Sequence, residues 1–283
     1  MKKTVFSLLC ILLALSYNAQ SHRFLYEYTF KIDSLDRSKS EKELMVLDIG
    51  KEGSRFYSFE RAQYDSVRES EIKKAMQTKS THIDFTHIRD RSKVRSRVTK
   101  KYPDYQTTLH TTIGSDDLAV LYEAKMEWSI SKETRTIKGL KAQKATGSLA
   151  GRRWTAWYTP EIPLQDGPYR FAGLPGLILE INDSKGDHVF TFAGNRKHKD
   201  LRLQENEKGI PVSEKKFNEL WKIYVKDPAK STRMILADPD VKITMSDGSG
   251  RIIPQAEMIR NNEIRLKEKL QKNNNFIDLT LYR

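Results

Sequence analysis

Five basic side chains alternate along one stretch of this chain and are its most distinctive candidates for binding chemistry. They are Arg89, Arg91, Lys93, Arg95 and Arg97. In an extended strand all five would lie on one face, over roughly 26 Å at about 3.3 Å per residue. Such a stripe could bind phosphates or carboxylates through bidentate arginine contacts. The alternative, which the sequence favours, is the solvated face of an outer strand, where charges also prevent edge aggregation.

The histidines do not form a recognisable metal-binding pattern. They are His22, His82, His87, His110, His188 and His198. His82 and Asp84 would share one face of a strand, but His87 would lie on the other, and there is no H-E-x-x-H motif. We therefore expect isolated histidines, no metal site and no cofactor.

Catalytic signatures are equally weak. The chain has no G-x-S-x-G motif. Glu161, Asp166 and Glu180 could supply a carboxylate pair. Asp166 is followed by Gly167, however, a pair typical of turns, and the other two have no visible partner. Trp154 and Trp157 would face opposite sides of a strand, so at least one is expected in the core rather than in a pocket.

The element that organises the chain is a turn followed by an apolar strand. The string Gly173, Leu174, Pro175, Gly176, Leu177, Ile178 places proline and glycine where a type II turn needs them. Residues 177–181 then predict a buried strand, and residues 188–193 a returning strand. The glycines could let a ligand approach the backbone or form an anion-binding nest. We favour a structural role, in which Gly176 takes a positive φ and the leucines are buried.

The remaining patterns predict an α+β fold that is mainly antiparallel β, with a curved sheet or half-open barrel and peripheral helices. Alternating apolar residues indicate strands at 23–32, 44–49, 55–59, 83–98 and 118–128, and two more around Gly147. Helical spacing indicates helices at about 64–76, 217–227 and 254–272. We expect one β-rich domain over 21–283 that is more helical beyond about residue 200. A separate C-terminal domain is the alternative.

The first 20 residues are typical of a secretory signal peptide. Lys2 and Lys3 precede an apolar stretch and a polar exit, so we expect cleavage near Gln20 and a periplasmic or outer-envelope location. Cys10 is the single cysteine, which excludes disulfides from the mature chain. A lipoprotein anchored at Cys10 is the alternative, although that residue lies in the middle of the apolar stretch. Removing two lysines lowers the formal charge from +13 to +11, which favours acidic envelope partners.

The string at 173–178 resembles the motif of the GLPGLI family of exported bacterial proteins. Further similar segments lie in the family's order, namely Trp128-Ser129-Ile130, Thr136-Ile137-Lys138-Gly139, Lys144-Ala145-Thr146, Gly151-Arg152, Ala156-Trp157-Tyr158-Thr159, Glu161-Ile162-Pro163 and Gly167-Pro168. Members often carry a cysteine where this chain has Ala142-Gln143. The resemblance implies export and a β-rich envelope protein, and it supplies no catalytic residues.

These observations predict a non-enzymatic envelope protein that binds or carries a partner. The expected partners are an acidic envelope component, an apolar ligand or an outer-membrane protein. Nucleic acid is not expected, because no aromatic residues interleave the basic stripe to stack on bases. A hydrolase acting on peptide or glycan, with a site assembled only in the fold, is the alternative. A third reading is a structural partner of another envelope protein, which should show an exposed apolar patch.

Overall fold

The computed structural model describes residues 21–79, 85, 87–198, 209–241 and 243–283. In this part of the chain, 12 strands form a single sheet that does not close, accompanied by four helices. The predicted α+β class with a mainly antiparallel sheet is therefore confirmed. The signal peptide predicted for residues 1–20 lies outside the described residues.

The strands and helices follow one another in three groups. The first comprises β1 (Ser21–Phe30), β2 (Glu41–Ile49), β3 (Gly53–Ser58), α1 (Phe59–Thr78), β4 (Arg97–Lys101), β5 (Gln106–Ile113) and β6 (Asp116–Leu121). The second comprises β7 (Ser129–Ile137), β8 (Leu140–Leu149), β9 (Arg152–Thr159), β10 (Leu177–Asp183) and β11 (His188–His198). The third comprises β12 (Ile210–Ser213), α2 (Glu214–Lys226), α3 (Lys230–Ala237) and α4 (Gln255–Lys272).

The sheet consists of two meanders that meet at β1. Its order is β12-β6-β5-β4-β3-β2-β1-β11-β10-β9-β8-β7. The chain adds β2 to β6 outward on one side of β1, crosses to the far edge at β7, and returns inward until β11 pairs with β1. Every neighbouring pair is antiparallel except β12 with β6, which is parallel. This strand order brings β1 and β11 side by side near the centre of the sheet, although they are far apart in sequence.

Two strands were predicted on either side of a turn at Gly147, and this position of the turn is wrong. Gly147 lies inside β8, and the chain instead reverses at Lys138-Gly139 and at Ala150-Gly151. Both residues of each pair have a positive φ: 49° at Lys138 and 83° at Gly139, and 56° at Ala150 and 79° at Gly151. That is the backbone of a two-residue hairpin turn. The region therefore holds three strands.

The prediction of a strand over 83–98 is also wrong for most of its length. Its described residues before β4, which begins at Arg97, are irregular. Side chains bind the backbone donors that a sheet would use: Ser92 N donates to Asp90 Oδ1 at 3.0 Å, and Lys93 N donates to Glu43 Oε2 at 3.1 Å. Short polar side chains that capture backbone groups in this way compete with ladder formation.

The helices agree more closely with their predicted positions. Helix α1 contains the predicted span and is capped at its N-terminus by Ser58, whose side chain accepts from Arg61 N at 3.0 Å. Helix α2 ends at Asp227-Pro228, and α4 begins directly after Pro254 and ends at Lys272, as predicted. No helix among the described residues is both long and apolar enough to cross a membrane.

Candidate functional site

A cavity of about 600 Å³ lies against one face of six adjacent strands, which are β5, β4, β3, β2, β1 and β11. Alternating apolar side chains of these strands form its floor because period-2 alternation directs them to the same face. They include Tyr28, Phe30, Met45, Phe56, Val98, Leu109, Ile113 and Phe190. Tyr28 and Phe190 stack in parallel with centroids 4.1 Å apart. The floor is thus apolar and rich in aromatic rings.

Helices α2 and α4 and the C-terminal residues form the opposite wall. Phe217, Trp221 and Tyr224 of α2 and Leu266 and Leu270 of α4 all line the cavity. Residues 276 and 282 complete this wall: the Phe276 and Tyr282 rings stack at 4.1 Å, and Trp221 meets both rings edge-on at 5.4 and 5.0 Å. The cavity therefore lies between the sheet and a layer of largely apolar side chains, and it is open to solvent on the side of Lys93, Arg95 and Lys269.

Two residues of the predicted basic stripe lie at the edge of this cavity. Arg89, Arg91, Lys93 and Arg95 are exposed, and the residues between them are partly buried, so the alternation persists without a strand. Lys93 and Arg95 line the cavity, whereas Arg97 lines a neighbouring cleft. At the edge, Lys93 pairs with Glu41. Arg95 pairs with Asp90 at 3.1 Å. That these residues bind a ligand stays a prediction.

The neighbouring cleft is strongly cationic. We call it the basic cleft, and it is lined by the cations Arg55, Arg61, Arg95, Arg97, Arg265 and Lys269, with two lining carboxylates, Asp65 and Asp117. Arg95, Leu266 and Lys269 line both the cavity and the basic cleft, so the two spaces adjoin. An apolar cavity therefore continues directly into a surface with an excess of positive charge.

The leucine and isoleucine side chains of the GLPGLI segment lie in the core next to β4, whereas Gly173 and Pro175 are exposed. Leu174, Leu177 and Ile178 are each 0–1% exposed. Gly176 has a positive φ of 152°, as predicted, but the prediction of a type II turn is wrong. Gly176 N donates to Leu174 O at 2.7 Å, and Leu177 N donates instead to Ile162 O at 3.0 Å. The bond from residue 176 to residue 174 defines a three-residue turn around Pro175. Because the backbone N–H of Leu177 does not close a four-residue turn, it can donate to Ile162 O in the segment between β9 and β10.

A buried lysine holds this segment against β4. Lys100 pairs with Asp166, and its ammonium group also donates to Gly167 O at 2.7 Å. Tyr102 donates to the second carboxylate oxygen of Asp166. Burial lowers the pKa of Lys100, an effect that Asp166 opposes. Burial and the carboxylate together raise the pKa of Tyr102. With its charges paired and its hydrogen bonds satisfied, the cluster is structural.

Two buried arginines fasten the C-terminal residues to the same region. Arg152 donates to Asp183 at 2.9 Å and to Asn275 at 2.7 Å. Arg170 donates to Asp278 at 2.8 Å and lies over the Tyr122 ring at 3.4 Å. These contacts hold residues 275–278 in place, so they position the wall of the cavity formed by residues 276 and 282.

The histidines and carboxylates singled out in the sequence do not assemble into a catalytic group. His82 and Asp84 lie outside the described residues, and His87 is exposed. Glu161 accepts from Lys141 N, and Glu180 pairs with Arg135 at 2.7 Å, so each carboxylate has a different partner from that of Asp166. Among the described residues no group of His, Cys, Asp and Glu could hold a metal ion. Trp154 and Trp157 are both buried.

Among the described residues, His188 is the one histidine that lines the cavity. Its Nδ1 lies 2.8 Å from the hydroxyl oxygen of Tyr28. Burial lowers the pKa of His188 to about 3, helped by Arg152 and opposed by Asp183 and Asp187. The imidazole is therefore neutral at ordinary pH and is a polar group in a mostly apolar cavity lining.

Sequence reasoning did not single out Lys100, Arg170 or Asp278, because a single charged residue in a strand or loop is usually exposed.

Comparison with known proteins identifies a family over part of the chain. Residues 150–180 match the family model described as a protein of unknown function (Porph_ging). This segment contains the string at 173–178, so the match confirms the resemblance to the GLPGLI family there. No curated protein is significantly similar to the chain.

Two solved structures match parts of the chain at low identity and low structural similarity. The structure of PNGF-II in space group P21 is 15% identical, with a TM-score of 0.49, over 82% of this chain and 39% of that one. A domain from Vibrio parahaemolyticus described as an outer membrane lipoprotein-sorting protein domain is 8% identical, with a TM-score of 0.30, over 71% of this chain and 94% of that one. The chain thus corresponds to well under half the length of PNGF-II.

Proposed function

We propose that this chain is an exported, non-enzymatic binding protein whose cavity holds the apolar part of an amphiphilic ligand. The observation that carries the proposal is the cavity of about 600 Å³ between the six strands and the helical wall. Pockets that bind small ligands commonly enclose about 300–1,000 Å³ and are lined mostly by apolar and aromatic side chains. Both features are present.

The polar groups of the cavity fit an amphiphile better than a wholly apolar compound. Lys93, Arg95 and Lys269 lie on its lining together with Glu41. The floor is formed by buried residues such as Met45, Phe56 and Leu109. A ligand that places its chain against the floor and its polar end near the cations would leave no charge buried without a partner.

The pairing of the interior carboxylates supports binding over hydrolysis. Asp166, Asp183 and Asp278 are each buried and each contact a cationic side chain. A general acid–base pair needs one carboxyl group that can exchange its proton at the substrate. These three are instead fixed in ion pairs within the core, as expected of structural groups.

Titration with a dansyl-labelled fatty acid tests the proposal. We expect saturable binding of about micromolar Kd by the wild-type chain. Leu270→Trp, which enlarges a half-buried residue of the cavity wall, should weaken binding at least about tenfold by filling the space that the ligand needs. Ile130→Trp is the matched control, since this residue is 48% exposed on β7 and does not line the cavity.

Circular dichroism should show that both variants are folded. Binding of the dansyl probe that is equally tight in wild type and in folded Leu270→Trp would contradict the proposal. So would the absence of saturable binding by the wild-type chain.

A further inference from the structure

The basic cleft beside the cavity indicates the polar end of the ligand. It adjoins the cavity through Arg95, Leu266 and Lys269, so one molecule could occupy both spaces. Six cationic side chains line the cleft, against the carboxylates of Asp65 and Asp117. Its charge is therefore complementary to an anion, and five of the six cations are arginines, which suit bidentate binding of phosphate oxygens.

Part of this positive charge is already neutralised within the protein. Arg61 pairs with Asp65 and with Asp90, each at 2.9 Å, and Arg95 pairs with Asp90 at 3.1 Å. The Arg55 guanidinium lies 5.2 Å from the centroid of the Tyr57 ring. These contacts fix the guanidinium groups of one side of the cleft in position.

The helical side of the cleft carries its unneutralised charge. Arg265 and Lys269 are four residues apart on α4, which places them on adjacent turns of one helix face. Arg265 donates to Asn262 at 2.8 Å, and neither residue forms an ion pair with any residue in the described part of the chain. Both side chains are exposed. An anion in the cleft would provide the charge partner that the protein itself does not.

We propose that the ligand is an acylated phosphate, with its acyl chain in the cavity and its phosphate group bound in the basic cleft by Arg265 and Lys269. This inference rests on the proposed function, because it assigns the polar end of the ligand held in the cavity. A phosphate carries more charge than a carboxylate and offers three oxygens to several donors, which matches a cleft with more than one uncompensated cation.

Isothermal titration calorimetry with a matched pair of amphiphiles tests the assignment. Lysophosphatidic acid and a monoacylglycerol with the same acyl chain, both below their micelle-forming concentrations, differ by the phosphate. We expect the wild-type chain to bind the phosphate compound at least about tenfold more tightly. The variant Arg265→Gln/Lys269→Gln should reduce this preference to within about threefold, chiefly by weakening binding of lysophosphatidic acid.

Arg260→Gln/Lys272→Gln is the matched control. It removes two exposed charges from the same helix at positions that do not line the basic cleft. It should keep the wild-type preference. Equal binding of the two amphiphiles by the wild-type chain, or a preference that survives in Arg265→Gln/Lys269→Gln, would overturn the phosphate assignment while leaving the cavity proposal intact. If neither amphiphile binds, the proposed function itself fails.

Inorganic phosphate distinguishes a lipid headgroup from a free anion. We expect inorganic phosphate alone to bind far more weakly than lysophosphatidic acid, and Leu270→Trp to weaken binding of the lipid. Inorganic phosphate that binds as tightly as the lipid, together with lipid binding that is unaffected by Leu270→Trp, would identify the cleft as a free-phosphate site and overturn the inference.

Discussion

Lys100 and Asp166 form an ion pair inside the protein, with each side chain only 1% exposed. Lys100 belongs to β4, and Asp166 lies just before the GLPGLI segment, so the pair joins two parts of the chain that are 66 residues apart. Lys100 also donates to the carbonyl of Gly167. The family segment is therefore held to the sheet by a buried polar contact as well as by its apolar side chains.

The first prediction concerns this pair. Lys100→Met should lower the free energy of unfolding by about 3–5 kcal/mol, because it leaves the Asp166 carboxylate buried without a cation. Lys101→Met is the matched control: the neighbouring lysine is exposed, so its substitution should cost less than about 0.5 kcal/mol. Urea unfolding at neutral pH measures both. A loss in Lys100→Met no larger than that in Lys101→Met would show that the pair does not hold the segment.

The second prediction concerns the turn at Gly176. A Cβ atom at this position would lie 2.0 Å from Thr159 O, and φ is 152°, in the region that favours glycine. Gly176→Ala should therefore destabilise the protein by at least about 2 kcal/mol. Gly194→Ala, where no atom beyond the adjacent residues lies within 4 Å of the added Cβ, serves as control. We expect any Gly176→Ala protein that folds to bind the dansyl fatty acid normally. A stably folded variant that has lost binding would instead assign the turn to the ligand site.

The third prediction concerns pH. The pKa of His188 is lowered to about 3 by burial, so between pH 6.5 and 3 the unfolded chain takes up a proton that the native chain does not. Stability due to the neutral imidazole is complete above about pH 6.5 and is lost progressively as the pH falls towards 3.

His188→Gln removes this titration. Between pH 7 and pH 5 the wild-type chain should lose about 2 kcal/mol more stability than this variant. His87→Gln, at an exposed histidine, should lose as much as wild type. Guanidinium unfolding at the two pH values measures the difference. Parallel pH dependence in wild type and His188→Gln would show that the imidazole is not buried as a neutral group.

The fourth prediction concerns fluorescence. Trp221 lines the cavity, whereas Trp128 lies outside it and donates to Ala172 O at 2.8 Å. Binding of an unlabelled fatty acid should therefore change the intrinsic emission chiefly through Trp221. The change should be mostly lost in Trp221→Phe and retained in Trp128→Phe. The reverse pattern would place the ligand elsewhere in the protein.

The fold could be predicted from local patterns where they are periodic. The end of α2 at Asp227-Pro228 and the start of α4 after Pro254 were predicted almost to the residue, whereas α2 begins at Glu214, three residues before its predicted start. The burial of Leu177 and Ile178 follows from the unbroken apolar run that begins at Leu177. Alternation alone was misleading at 87–96, because the carboxylates of Asp90 and Glu43 accept from backbone N–H groups there. The second of these contacts depends on a side chain of β2, about 50 residues away in sequence.

The candidate site could be predicted only in part. The basic alternation pointed to Lys93 and Arg95, which do lie at the cavity. The cavity itself could not be foreseen, because its wall joins helices α2 and α4 to the floor of a sheet assembled from six strands. The ion pair of Arg170 with Asp278 spans 108 residues, and no local pattern indicates such a contact. Tertiary structure creates the site by bringing together residues whose local surroundings look ordinary.

Mass spectrometry of organic extracts tests the central claim most directly. Wild-type chain purified from its native envelope should yield an amphiphile in near-stoichiometric amount, and Leu270→Trp purified in parallel should yield little or none. Extracts of the two proteins that are indistinguishable, with no amphiphile enriched in the wild type, would contradict the proposal that the cavity binds such a ligand.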